Sequence, residues 1–345
     1  MKKIVNGLLG IAIVCLFAVN VFAQQADVQE DQAVNKKVIK LVDRMEELSK
    51  KARSLDELGW SLEFDSIVKE LYDIGKPAIP KLLDIVQEKD RHWIVRFTIV
   101  SMFKDKNLQD NRMLEPLLKI LKDKNDDLRV RFGISTPLGV FGDKKALKTF
   151  IDIVEDETEN KSVRISVINW GLGNSHMADK KSIDVLERIL SISNDNEIRR
   201  SAIDTTGILN IALNDEKSAN ILIQTAKDKN NELRWDAINA LGWNKKNKRA
   251  VKPLIEILRT DENRDIRGYA ASSLGKIGDN QATDALIEAL KDEYIILRTK
   301  TVEALENIKD KKAIKPLQEA LKNAEKMKDE DSSILIKRAL KQIER

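Results

Sequence analysis

The sequence predicts an all-α fold, a stack of about seven to eight helix pairs, and three observations carry that prediction. The first is composition: 34% of the 345 residues are charged and 5% aromatic, with only 14 Gly and 6 Pro, a mix dominated by good helix formers. The second is an apolar-Arg step that recurs at Val95-Arg96, Val130-Arg131, Val163-Arg164, Ile198-Arg199, Leu233-Arg234, Ile266-Arg267 and Leu297-Arg298, at intervals of 35, 33, 35, 35, 33 and 31 residues. The third is the spacing around each Arg. Apolar residues fall one before it and three, four and seven after it, which is one face of a 3.6-residue period and not the alternation of a strand.

From the N-terminus, Lys2-Lys3 followed by apolar Ile4 to Ala23 reads as a secretory leader over residues 1–23, with cleavage expected before Gln24. An uncleaved anchor is the other reading; Asn6, Asn20 and the small-residue exit at Ala23 count against it. Either way the body is expected outside the cytoplasm, in the periplasm or at the cell surface, with no span in the mature chain. Cys15 lies inside the leader and behind Val14, the wrong place for a lipid anchor, so the mature chain has no cysteine for a disulfide, a thiolate nucleophile or a metal site. Losing Lys2 and Lys3 lowers the formal net charge from +4 to +2, too near neutrality for an electrostatic nucleic-acid binder.

A polar stretch and an amphipathic capping helix, from about Val34 to Lys51, are expected within residues 24–60. Residues 61–310 form the repeat array, and 311–345 a C-terminal capping repeat. Eight residues beyond several of the arginines stands a glycine, at Gly139, Gly207, Gly242 and Gly275, often in a Leu-Gly pair. A second motif lies between these units, as in Ala250-Val-Lys-Pro253-Leu-Ile-Glu-Ile-Leu258 and Ala313-Ile-Lys-Pro316-Leu-Gln-Glu-Ala-Leu321. Proline there, at Pro80, Pro116, Pro253 and Pro316, is tolerable only in a first helical turn and so marks a helix start. Each repeat is thus a helix pair that cannot bury its apolar face without neighbours.

The run Ile266-Arg267-Gly-Tyr-Ala-Ala-Ser-Ser-Leu274-Gly275-Lys-Ile-Gly278-Asp279 resembles the HEAT-repeat family, in particular its short phycobilisome-lyase-type repeat, and the likeness extends over about Gly75 to Asp310. The resemblance implies a right-handed α-solenoid of HEAT-like helix pairs in an armadillo-like superhelix. Tetratricopeptide and ankyrin repeats have similar periods of about 34 and 33 residues, but their Trp-Leu-Gly-Tyr and Thr-Pro-Leu-His patterns do not occur here. The repeats around Arg96 and Arg164 depart from the pattern, with Lys104 and Leu172 where the glycine belongs. Pro137 falls inside a second helix, where a kink or break is expected.

The polar motifs point to structure before chemistry. An acid precedes most arginines (Asp90, Asp126 and Asp127, Asp195, Asp228, Asp261 and Asp265, Asp292). It fits a helix cap and an Arg-to-acid ladder between repeats better than a catalytic group copied once per repeat. The acidic turns at 123–127 and 194–197 lack the glycine and final Glu of a calcium loop. His92 and His176 have no zinc-site spacing, and Ser175, His176 and Asp179 are too close in sequence to orient one another as a triad. Catalytic, metal and cofactor sites are therefore expected to be absent.

What remains is the inner face of the array, lined by the second helices, whose outward positions are expected at one, two, five and nine residues beyond each Arg. The fifth position is polar throughout, including Thr136, Asn169, Asp204, Asn239 and Ser272; Phe97, Phe132 and Trp235 stand at the first, Tyr269 at the second and Trp243 at the ninth. Aromatics beside hydrogen-bonding groups suit a groove for a protein or peptide, while the plainer reading has the rings filling gaps between helices. The expected function is thus an exported scaffold that binds a protein or peptide on its concave face. A cell-envelope spacer is the alternative. A lyase-like enzyme, which the family resemblance also brings, is disfavoured by export and by the missing cysteine.

Overall fold

The computed structural model describes residues 29–51 and 61–345; the leader and cleavage site assigned to residues 1–23 lie outside them. Among the described residues there is no strand, and eighteen helices follow one another, in two compact units that divide between Phe141 and Gly142. No helix among them is long and apolar enough to cross a membrane. The all-α array of helix pairs read from the sequence is the fold observed.

The first unit contains α1 (residues 29–51), α2 (Leu62–Ile74) and two pairs, α3 (Ile79–Gln87) with α4 (Trp93–Met102) and α5 (Leu114–Lys122) with α6 (Leu128–Phe141). The second contains six pairs. They are α7 (Lys144–Glu155) with α8 (Lys161–Ser166, continued as a π turn over Val167–Leu172), α9 (Lys180–Ile192) with α10 (Asn196–Leu213), α11 (Glu216–Lys227) with α12 (Arg234–Trp243), α13 (Val251–Thr260) with α14 (Arg264–Ile277), α15 (Thr283–Ala289) with α16 (Ile295–Ile308), and α17 (Ile314–Lys326) with α18 (Glu330–Glu344). The first helix of a pair is called A and the second B.

Local chemistry sets the ends of these helices. Asp143, Asn160, Asp179, Asp195, Asp215, Asn263 and Asp329 each accept a backbone N–H in the first turn of the helix that follows, satisfying donors that have no intrahelical partner. Pro80 is the second residue of α3, and Pro116, Pro253 and Pro316 are the third of α5, α13 and α17, each behind a short 3-10 turn. Gly278 closes α14 with φ 74°, a left-handed conformation that glycine adopts without a Cβ penalty. Pro137 departs from expectation in one respect: α6 runs unbroken from Leu128 to Phe141 with the proline buried inside it.

The A helices bury one stripe, such as Leu114, Leu117, Leu118, Ile120 and Leu121 of α5, each side chain stabilising the fold by roughly 1.5–3 kcal/mol. B helices pack on B helices through small residues. A Cβ at Gly275 of α14 would lie 2.5 Å from the Cα of Ala304 in α16, and one at Gly207 of α10 would lie 2.9 Å from Ala240 and Trp243 of α12. The recurrent glycine therefore marks where the next B helix comes closest. Buried hydroxyls close the same seam: Ser273 Oγ donates to the Ile238 carbonyl at 2.8 Å and Thr205 Oγ1 to the Ile168 carbonyl at 3.2 Å.

Candidate functional site

The repeated arginines lie beneath the B helices and serve the fold. Arg96, Arg131, Arg164 and Arg234 each donate through Nε to the penultimate carbonyl of their own A helix (Val86, Leu121, Val154 and Ala226), at 2.7 to 3.1 Å. There the carbonyls left over at the helix end carry partial negative charge, and a guanidinium answers both needs. Arg96 also forks onto Asp126 of the next repeat at 2.8 and 2.9 Å, with both groups buried. Arg234 pairs with Asp261, and Arg267 with Asp292 at 3.0 Å. The expected Arg-to-acid ladder is present at these steps. Its carbonyl half has no signature in the sequence, and Arg199 departs from the scheme with its Nε buried and unpartnered.

The other polar motifs are also absorbed locally. Asp126 holds Arg96, and Asp127 holds Arg129 and its backbone N–H. His92 caps α4, while His176 bonds Asn174 at 2.9 Å and Asp179 caps α9, so Ser175, His176 and Asp179 form no triad. Among the described residues no group of His, Cys, Asp and Glu is placed to hold a metal ion.

In the first unit, Phe97 is half-buried: its ring lies 3.0 Å from where a Cβ on Gly133 would be, and its edge meets Trp93 with centroids 6.5 Å apart. It fills the gap between α4 and α6. Arg129 lies over Trp93, 3.8 Å from the ring centroid. Phe132 is 38% exposed, and Thr136 is half-buried.

In the second unit the structure brings two predicted residues together across a helix step. Trp235 of α12 and Tyr269 of α14, each 42% exposed, meet edge to face with centroids 5.7 Å apart. Asn169, Asp204, Asn239 and Ser272 are half-buried along successive B helices, and Asn239 accepts from Lys276 Nζ at 2.8 Å. Trp243 is different. Its indole covers Gly207, so it belongs to the seam between α10 and α12.

The second position beyond the Arg was expected to face outward, and this is corrected by Ser166, Ser201 and Asp236, which are buried there. That position is turned toward the preceding B helix, where it receives the first-position residue: Arg200 meets Asp236 at 3.2 Å just as Trp235 meets Tyr269. Asp236 is 4% exposed, and its Oδ2 has no hydrogen-bond partner. Burial holds its carboxyl above the usual range against the pull of Arg200, and burial together with Asp236 raises that of Asp204. Sequence reading missed Arg200 and Asp236, and also Trp170, which is 54% exposed because the π turn of α8 rotates a normally inward position outward. The reversed order Gly171-Leu172, where other repeats have Leu-Gly, was the available sign.

Opposite the B helices, the A helices of this unit are linked step by step by ion pairs from α7 to α15, and α15 is linked to the short turn that leads into α17. Glu155 pairs with Arg188; Asp184 and Glu187 hold Lys217 at 2.6 and 2.7 Å; Lys227 meets Glu256 at 2.6 Å, Arg259 meets Glu288 at 2.8 Å, and Asp284 faces Lys312 at 3.9 Å.

The family model for HEAT repeats matches four overlapping stretches, residues 114–207, 147–242, 198–261 and 251–330, and together these span more than half of the chain. The chain belongs to the HEAT-repeat family. Its HEAT fold is shared with importin beta, at TM-score 0.56 and 17% identity, over 81% of this chain and 42% of that one. Weaker likenesses are to the CpcE–CpcF complex of phycocyanin lyase from Nostoc sp. PCC7120 (TM-score 0.38, 16% identity, 76% of this chain and 94% of that one) and to an engineered protein (TM-score 0.42, 18% identity, 90% and 99%). No curated protein matches this HEAT-repeat sequence.

Proposed function

We propose that this HEAT-repeat chain is an exported scaffold that binds a protein or peptide partner along the B-helix face of its second unit and does not transform it. The observation that carries this reading is the Trp235–Tyr269 pair, two large aromatic rings left 42% exposed on neighbouring helices. Aromatic side chains supply much of the energy of binding hot spots, and leaving them in water has a cost that a partner removes. Asn239 and Ser272 beside them offer hydrogen bonds, as the rim of such a patch requires. Polar motifs that could suggest catalysis are occupied with capping and ladder contacts, which supports a binding role. Export rests on Lys2-Lys3, the apolar run to Ala23 and the expected mature start at Gln24.

Crosslinking and affinity capture of the tagged protein from intact cells, with mass spectrometry of the eluate and of the mature N-terminus, tests both parts. One dominant co-purifying protein that is lost with Trp235→Ala and Tyr269→Ala supports the reading. Capture unchanged by both substitutions sinks this site, an empty capture favours a spacer, and a retained Met1 removes cleavage.

A further inference from the structure

The two edges of the second unit carry opposite charge. One edge is made of the six turns that lead into an A helix, each taken with the first two residues of that helix (142–145, 173–181, 214–217, 244–252, 278–284 and 309–315). They hold 14 Lys and Arg against seven Asp and Glu, a net of +7. The six turns that lead into a B helix, taken in the same way (156–162, 193–197, 228–235, 261–265, 290–296 and 327–331), hold six against 15, a net of −9. The formal charge of the whole chain, only +4, conceals this because the two edges nearly cancel.

The basic turns form one continuous row. Gly142 lies against His176, whose Cβ would be 3.1 Å from a Cβ on the glycine, and Lys217 reaches Asp184 of α9 at 2.6 Å. Asn244 Nδ2 donates to Asn214 Oδ1 at 3.2 Å, Lys248 faces Asp279 at 3.7 Å, and Lys312 faces Asp284 at 3.9 Å. Burial then separates the two signs of charge. Asp143, Asp179, Asp215, Asp279 and Asp310 are half-buried and each accepts a backbone N–H of the helical turn that follows, while every cation of the row except Lys217 is exposed. The other two acids, Glu216 and Asp284, each face one cation, Arg249 and Lys312, at 3.9 Å. Lys180, Lys181, Lys245, Lys246, Lys309 and Lys311 make no ion pair among the described residues. Asn244 and Asn247 are buried and bond Asn210 at 2.8 to 3.2 Å, so Lys245 and Lys246 project from a fixed base.

We propose that this basic edge rests on an anionic phospholipid bilayer, as a peripheral attachment made by charge alone. Lysine supplies 13 of the 14 cations. A lysine ammonium is a compact, strongly hydrated point charge that suits mobile headgroup phosphates, whereas a phosphate held in one orientation favours the fork of an arginine. Each such charge adds to the attraction of an anionic leaflet while it lies within a screening length of the surface. No large apolar side chain is exposed in the six turns, so nothing there enters the lipid, and none of them holds Phe, Tyr or Trp, the rings on which single-stranded bases stack. The acidic edge is repelled by the same surface, so charge sets the orientation and leaves the B-helix face open to the side. The inference goes beyond the partner reading and does not rest on it, since Trp235 and Tyr269 lie outside these turns.

Co-sedimentation with vesicles tests this, using the chain from Gln24, which keeps every described residue and lacks the apolar run that would bind lipid by itself. Phosphatidylcholine vesicles with about one-third phosphatidylglycerol should bind about tenfold or more tightly than phosphatidylcholine alone. The difference should vanish in roughly 1 M salt, where the screening length is about 3 Å. Lys245→Glu with Lys246→Glu should weaken binding by about tenfold or more, and so should Lys309→Glu with Lys311→Glu. These four side chains are exposed and unpaired, so the melting temperature of either variant should not fall. Lys322→Glu with Lys326→Glu makes the same change in net charge at about 12 Å or more along α17 from its first residue, and should alter binding by less than about twofold. Equal binding to both kinds of vesicle, no binding, or an equal loss in all three double variants overturns the proposal. Tighter binding, per phosphate, to a fluorescein-labelled DNA duplex than to the anionic vesicles also overturns it and gives the edge to nucleic acid.

Discussion

In the second unit, the A-helix face and the α10–α14 stretch of the B-helix face handle charge differently; outside that stretch, B helices are also bridged, Lys161 of α8 to Glu197 of α10 and Arg338 of α18 to Glu306 of α16. On the A-helix face every consecutive pair from α7 to α15 is tied by at least one Lys or Arg to a Glu or Asp of its neighbour, and Asp284 of α15 faces Lys312 in the short turn that leads into α17. Between α10 and α14 the exposed links of the B helices are mostly uncharged or mixed, among them the Trp235–Tyr269 contact, the bonds from Lys276 to Asn239 and from Asn196 to Glu232, and a single ion pair, Arg200 with the buried Asp236. Exposed ion pairs contribute little each, but a continuous set fixes register and leaves few charges for others. Between α10 and α14 the B-helix face is left with exposed rings and half-buried amides and hydroxyls.

The largest expected effect lies in the seam beneath both faces. Arg234→Ala removes the guanidinium from Asp261, which is 7% exposed, and from the Ala226 carbonyl, and should cost about 3–5 kcal/mol because it leaves a buried charge uncompensated. Urea unfolding measures this, and a loss below about 1 kcal/mol would mean that the pair is solvated. Gly275→Ala comes next. Its new methyl meets the backbone of Ala304, which cannot rotate away, so overpacking should cost about 1–3 kcal/mol. A neutral outcome would show that α14 and α16 can separate at no cost, contrary to a tightly set B-helix face.

The same contrast shows what a sequence can disclose. Periodicity around each Arg, the prolines of the A helices and the capping acids were legible because they depend on neighbours within one or two turns. The glycine column was legible as a motif, and its meaning, contact with Ala240, Ser273 or Ala304 one repeat on, appears only in the packing. Trp235, Tyr269, Asn239 and Ser272 were read as lining one face, and two of them meet there; Phe97 and Trp243 proved to be gap fillers, since ring burial depends on whether a glycine lies opposite. Asp236 was invisible because its position is turned toward the preceding helix, a matter of the angle between neighbours. Trp170 was hidden by a single π turn.

Asp236→Asn sharpens the comparison through pH. Folding holds the Asp236 and Asp204 carboxyls above their ordinary range, so the native state favours their protonated forms. Their contribution to stability is then present below the unfolded pKa of about 3.9 and is lost as pH rises through the raised native value. An asparagine escapes that loss. The variant should therefore match the wild type near pH 4 and exceed it at pH 7, by an amount on the order of 1 kcal/mol. Parallel pH profiles from chemical unfolding would show that Asp236 is stabilised by Arg200 and is not a strained acceptor.

The smallest effect is expected on the opposite face, and it is the one that tests whether the two faces are separate. Lys217→Ala breaks two exposed ion pairs at once, with Asp184 and Glu187, yet side chains this open to water are screened and ordered at an entropic cost. The loss should be under about 1 kcal/mol and should shrink further in roughly 1 M salt, where the screening length falls to about 3 Å. Capture of a partner should not change, because the lysine belongs to an A helix while the rings lie on B helices. A large loss of stability would make the A-helix ladder a principal support of the array, and a loss of capture would move the binding surface onto it.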